Sequence, residues 1–172
     1  MSDPEVMRYV GNGSPKTRQQ TERLLGFWIT DNGRAWDEHT LQRLPQLRRA
    51  IERDAHFSLW ATVEKRTNQL IGRCGLLAWD LSDAKEVEVG YMIAKSHWGQ
   101  GYATEAARAI RDYGFERLGF QRLISLIQPG NVASQRVAIK NGMRQEGDVK
   151  VGMVSAMVFG VGRENSGGAG AR

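Results

Sequence analysis

The segment that most constrains how this chain folds is a strand-like run, Val87 to Ala94, together with the turn and helix after it. The chain continues as His97-Trp98-Gly99-Gln100-Gly101-Tyr102-Ala103-Thr104-Glu105-Ala106 and then as a helical run from Ala103 to Arg117. A strand that turns through two glycines into a helix must lay that helix across a sheet and cross to a parallel neighbour. The next strand-like run, Phe120 to Gln128, supplies that neighbour. Two glycines at the mouth of a helix let a ligand approach the backbone closely, and they leave several N–H groups pointing outward. With the positive end of the helix dipole behind them, such groups form a seat for phosphate.

The remaining sequence fits one domain around that unit. The chain has 172 residues, 41% hydrophobic and 25% charged, enough for a core of its own. No run approaches the roughly 20 apolar residues of a membrane span. The N-terminus, Met1-Ser2-Asp3-Pro4-Glu5, lacks the basic and then apolar layout of a signal peptide, so a cytoplasmic location is expected. The single cysteine, Cys74, lies in an apolar strand and reads as an inert buried thiol. The net charge of +5 comes from basic residues scattered among acidic ones, without a long basic run. That pattern reads as a solvated surface, and nucleic acid is not an expected partner.

Along the chain, a short helix is expected over residues 2–10, then a loop at Gly11 to Pro15 and a second helix from Thr17. Residues 30–40 give no clear assignment. Leu41 to Arg53 carries Leu41, Leu44, Leu47 and Ile51 at helical spacing, interrupted by Pro45. From Phe57 the period changes to two. Strands are expected at Phe57 to Glu64 and Gln69 to Trp79 as a hairpin, then a polar loop at Asp80 to Lys85 and a third strand at Glu86 to Ala94. Gly90 in that strand suggests a bulge or a close approach by a ligand. Ala103, Ala107, Ile110 and Gly114 give the following helix a small apolar face. After strand Phe120 to Gln128, Asn131 and Gly142 bracket a helix from Asn131 to Asn141. Strands at Met143 to Lys150 and Met153 to Val161 complete an α/β fold with a mixed sheet. A single domain over residues 1–161 is expected, with a glycine-rich tail at 162–172.

Two familiar phosphate motifs do not fit the turn. No stretch matches G-x-x-x-x-G-K-[ST]. The dinucleotide fingerprint finds Gly99 and Gly101, but Thr104 takes the place of the third glycine, and the next strand ends Ile127-Gln128-Pro129 without a ribose-binding carboxylate.

Taken together, Tyr91-Met92-Ile93, the turn Trp98 to Ala106, Asn131-Val132-Ala133-Ser134-Gln135-Arg136-Val137 and Asn141-Gly142-Met143 resemble the GNAT N-acetyltransferases. The likeness is to the RimJ/RimL-like branch, which modifies ribosomal-protein N-termini. It covers Asp3 to Arg23 and, more firmly, Phe57 to Gly147. The resemblance implies a mostly antiparallel sheet with one parallel pair splayed at the cofactor site, and acetyl-CoA as the cofactor. It implies that backbone N–H groups of Trp98, Gly99, Gln100, Gly101, Tyr102, Ala103 and Thr104 hold the pyrophosphate. Tyr91, Met92 and Ile93 would meet the pantetheine arm, with Gly90 as a cause of the splay. Asn131 matches a position that contacts the arm and is also a plain helix cap. Ser134 matches a position that protonates the departing thiolate and is also an ordinary first-turn serine. Many family members use a tyrosine as that acid. Here none comes after Tyr113, so Tyr91 or Tyr102 would have to serve.

Acetyl transfer needs a neutral amine, a polarised carbonyl and a proton for the leaving sulfur. An α-amine titrates at about 8 and a lysine at about 10.4, so an N-terminal amine asks little of a base. Glu88 is the candidate base, on the strand entering the turn, with Glu86 on the same face. The alternative for both is a pair of solvent-facing carboxylates. His97 reads as a structural or surface histidine, and no metal-ligand spacing is visible. The acceptor is expected to be a peptide N-terminus or a small amine. The alternative function is a non-catalytic acyl-CoA-binding regulatory module. The family's opening edge strand is not found ahead of the first helix, and Thr21-Glu22-Arg23-Leu24-Leu25 copies its letters in an altered order. A strand from the second subunit of a homodimer, or a truncated reading frame, would account for this.

Overall fold

The computed structural model describes residues 3–10, 13–20, 59–81 and 84–164. The expected helix at Leu41 to Arg53, the Thr21 to Leu25 segment and the last eight residues lie outside the described residues.

The first helix, α1 (Pro4–Met7), is shorter than the sequence suggested. The Asp3 carboxylate accepts from Glu5 N at 2.9 Å and from Val6 N at 3.4 Å, and Pro4 fills the first turn. Residues 18–20 open the second helix. Thr17 and Gln20 cap it reciprocally, Gln20 N donating to Thr17 Oγ1 and Thr17 N to Gln20 Oε1.

Six strands come next, β1 (Leu59–Glu64), β2 (Gln69–Leu81), β3 (Ala84–Ile93), β4 (Arg122–Ile127), β5 (Arg144–Val151) and β6 (Val154–Gly162). They form one sheet in the order β1-β2-β3-β4-β6-β5. The β3–β4 pair is parallel and the other neighbours are antiparallel. Helices α2 (Tyr102–Glu116) and α3 (Val132–Lys140) make the two crossovers.

The expected polar loop at Asp80 to Lys85 is instead the far end of a long hairpin. Asp80 pairs with Lys85 and Leu81 with Ala84. Opposite charges stand across the strands there, joined by the Lys85–Asp80 ion pair. Polar residues at a hairpin tip therefore imitate a loop in the sequence. The last strand runs one residue past its expected end at Val161. Strand β6 reaches Gly162, and Arg163 N donates to Gln121 O at 3.0 Å.

The core lies between the sheet and α2 and α3. Leu76, Val87, Val89, Leu123, Ile127 and Phe159 meet Ala107, Ile110, Phe115 and Ala138. Each large side chain buried here contributes about 1.5–3 kcal/mol. Gly114 lets α2 lie close to the sheet, since a Cβ there would stand 3.0 Å from Leu123 Cδ1. Cys74 is buried in this core, which pushes its thiol up to about 12.

Candidate active site

The parallel pair is joined at a single register point, Glu88 opposite Ile124, and then opens. Continuing the ladder would bring Leu126 N–H to Val89 O. Each group finds a side chain instead. Leu126 N donates to Glu88 Oε1 at 3.2 Å, and Ser125 Oγ donates to Val89 O at 2.8 Å. Two polar side chains thus end the ladder and satisfy its groups without closing the strands. Gly90 forms no bulge, because its ladder with β2 is regular through Gly75. The gap begins before Gly90, at Glu88 and Val89.

Beyond this point lies a cleft of about 280 Å³. Tyr91 and Met92 line it from β3, Ile127 and Gln128 from the end of β4, and Asn131 and Ser134 from the start of α3. The same side of β3 shows how the backbone is used. Val89 O takes the Ser125 hydroxyl, and Ile93 O takes the Trp98 indole N–H at 2.8 Å. Between them, by the alternation of the strand, the Tyr91 amide faces the gap.

The glycine turn follows the end of β3 and opens α2, beside a second pocket lined by Gly101, Thr104 and Arg108. Gly99 and Gly101 have φ of +72° and +90°, the left-handed region that suits glycine. A Cβ on either would meet nothing within 4 Å, so the space above the turn is open. The first helical bond of α2 is Glu105 N to Gly101 O at 3.0 Å. The N–H groups of Tyr102, Ala103 and Thr104 therefore project from the helix end. The Trp98 indole pins the turn to β3, and Gln100 Nε2 donates to Ser96 O at 3.1 Å.

Glu88 is buried, 9% exposed, so it is not a solvent-facing carboxylate. Its second oxygen accepts the Trp79 indole N–H at 2.5 Å. Burial raises its pKa, against the pull of the Trp79 and Leu126 donors. Glu86 is engaged elsewhere, paired with Arg122 at 3.0 Å. Asn131 caps α3 through Oδ1, which accepts from Ser134 N at 3.2 Å, and its Nδ2 is left for other partners. Ser134 O accepts the Tyr91 hydroxyl at 3.0 Å. Burial raises the Tyr91 phenol's pKa, so this tyrosine stays protonated beside the cleft. The Tyr102 hydroxyl points away and donates to Glu64. His97 lies edge-on to the Tyr102 ring, 5.8 Å between centroids.

The sequence reading missed Trp79, Tyr9 and Val10, all of which line the cleft. Tyr9 packs against Gly130, where a Cβ would lie 3.0 Å from its ring. The hairpin register would have placed Trp79 near Glu88, had Asp80 to Lys85 been read as strand.

A phosphate-competent turn, a splayed parallel pair and a buried carboxyl at its vertex can be compared with known proteins. A family model for the acetyltransferase (GNAT) domain matches residues 1–144. The chain belongs to the GNAT acetyltransferases. That family uses acetyl-CoA in general, and its members are acyl-transferring enzymes. The Bacillus subtilis protein YkkB is 39% identical over 142 residues, spanning 83% of this chain and 70% of its own. A Bacillus licheniformis protein named as an N-acetyltransferase, p20, is 28% identical over 85% of this chain and 70% of its own. A GNAT-family acetyltransferase from Bacillus anthracis has the same fold, with a TM-score of 0.68 at 22% identity, over 95% of this chain and 84% of that one.

The Glu64 cluster gives one prediction about the GNAT turn. Glu64, at the end of β1, is 7% exposed and accepts from both Thr67 Oγ1 and Tyr102 OH. These hydrogen bonds, Thr67 first, lower its pKa. The anchor is therefore intact at neutral pH and is lost only as pH falls below the ordinary carboxylate range. Tyr102→Phe should raise KM for acetyl-CoA about threefold with kcat unchanged, because only the anchor of the first helical turn is lost. Steady-state kinetics with varied acetyl-CoA checks this.

Proposed function

We propose that the chain, acting as one domain, transfers the acetyl group of acetyl-CoA to a primary amine. The acceptor would be a peptide N-terminal α-amine, as in the RimJ/RimL-like branch, or a small amine. The observation that supports this reading is the course of one strand, β3. Its Glu88 and Tyr91 line the splayed cleft, and the strand then leads into the open glycine turn before α2.

In this reading the N–H groups of the turn hold the pyrophosphate, and Tyr91 to Ile93 hold the pantetheine arm. Asn131 Nδ2 adds a donor to the arm. The amine nitrogen attacks the thioester carbon and loses a proton to Glu88. The tetrahedral intermediate then collapses as the C–S bond breaks. The departing sulfur takes a proton by way of the Ser134 hydroxyl, which regains one from solvent. An α-amine is already partly neutral near pH 8, so most of the rate would come from positioning and from polarising the carbonyl.

One observation favours the second reading, a non-catalytic acyl-CoA-binding regulatory module. Both Glu88 oxygens already hold a donor, from Trp79 and Leu126. Release of the CoA thiol, measured with N-terminal peptides, lysine peptides, polyamines and an aminoglycoside, separates the two. Turnover with an α-amine peptide is the expected result. Acetyl-CoA binding without turnover on any amine would favour the regulatory module.

A further inference from the structure

We propose that Trp79 is a positioning residue for acetyl transfer, its indole N–H fixing the Glu88 carboxylate at the vertex of the strand gap. This rests on the reading of Glu88 as the base. Trp79 does not stand opposite Glu88 in the sheet. Its register partner is Glu86, and Leu77 faces Glu88. The indole reaches diagonally across the strand pair, which an aromatic side chain can span. It lines the same cleft and donates to Glu88 Oε2, while Leu126 N–H holds Oε1. Two donors from two strands thus set both the plane and the rotation of a carboxylate on a third. Each oxygen keeps a further lone pair, so the group is oriented without being used up.

The charged surroundings of Glu88 come from every neighbouring element. Glu86 on its own strand is paired with Arg122 of β4. Arg73 of β2 lines the cleft, and Tyr91 stands farther along β3 with its hydroxyl on Ser134 O. The indole acts on this background as a neutral donor. It favours the carboxylate over the carboxylic acid, so its removal makes Glu88 hold a proton to higher pH. A base must be deprotonated to act. The acid limb of the rate profile should therefore move toward higher pH.

The test compares Trp79→Phe with Glu88→Gln, following kcat/KM for the amine across pH and KM for acetyl-CoA. Trp79→Phe keeps the ring and removes the N–H. It should lower kcat/KM about tenfold at pH 7, leave KM for acetyl-CoA unchanged and displace the acid limb upward. Equal loss at every pH, with the limb in place, would overturn the proposal and leave Trp79 as packing alone. If Glu88→Gln removes the limb while Trp79→Phe leaves it in place, the base reading stands and this inference falls. If Glu88→Gln keeps both the limb and the rate, the base reading itself fails. Should Trp79→Phe not fold, the indole N–H resonances of the unsubstituted protein serve instead. One of them should titrate with the acid limb and cease to do so in Glu88→Gln. No titrating indole signal would contradict the proposal.

Discussion

Gly101→Glu should abolish acetyl-CoA binding while leaving the sheet and core folded. Gly101 caps α2 with a φ of +90°, and a Cβ there meets nothing within 4 Å. The cost to the fold is therefore conformational, on the order of 1–3 kcal/mol, without a steric clash. The new carboxylate would occupy the open space above the turn, against the positive end of the helix and in place of the pyrophosphate. A rise in Kd of at least about 100-fold is expected, roughly 3 kcal/mol. Two controls isolate the cause. Gly101→Ala carries the same backbone strain without the charge and should weaken binding far less. Gly119→Glu carries both at another glycine of positive φ, +76°, beyond the far end of α2, and should leave binding unchanged. Calorimetric titration of the three variants reads this directly. Tight binding by Gly101→Glu would mean that the phosphates sit elsewhere.

The second large effect is expected at the vertex of the gap. Glu88→Gln should lower kcat/KM for the amine about 100-fold, the usual scale for a lost general base, with little change in KM for acetyl-CoA. The fold should survive. Glutamine keeps the shape and one acceptor oxygen, but its amide turns a donor toward either Trp79 or Leu126, at a cost of about 1–3 kcal/mol. The pH dependence separates chemistry from this structural cost. Burial raises the Glu88 pKa, so in the unsubstituted enzyme activity should fall with decreasing pH from above the ordinary carboxylate range. Activity left in Glu88→Gln should lack that limb. A variant as active as the parent would leave Glu88 the role of ending the strand ladder and nothing more.

What the sequence made legible divides along physical lines. The segment from the glycine turn to Gly142 was read to within one or two residues because its ends are set by local chemistry. Glycines of positive φ stand at 99, 101 and 142, and the Asn131 side chain caps α3. The parallel pair was legible from the handedness and length of the crossover through α2. The hairpin tip was misread because Asp80 and Lys85 are polar in the sequence and paired in the fold. The same register also decides between the two strand carboxylates. Glu86 and Glu88 share a face by the period of two, which does not say which is buried. The register across the hairpin decides it, by giving Glu86 to Arg122 and Glu88 to Trp79. The start of the gap was unreadable for a similar reason. Gly90 is a local signal, whereas the ladder ends through side chains that meet from β3 and β4. Tyr9 as a wall of the cleft is a contact with Gly130, over 100 residues away, and no periodicity reports it.

The central claim is that residues 98–104 seat the pyrophosphate of acetyl-CoA. Its most direct test is thermal unfolding with acetyl-CoA and with S-acetylpantetheine, which keeps the thioester arm and lacks the pyrophosphate. At 100 times Kd, acetyl-CoA should stabilise the protein by about 2.7 kcal/mol, a rise in Tm of about 5–10 °C for a domain of this size. S-Acetylpantetheine at the same concentration should give almost none. Equal shifts from the two compounds, or no shift from acetyl-CoA, would contradict the account.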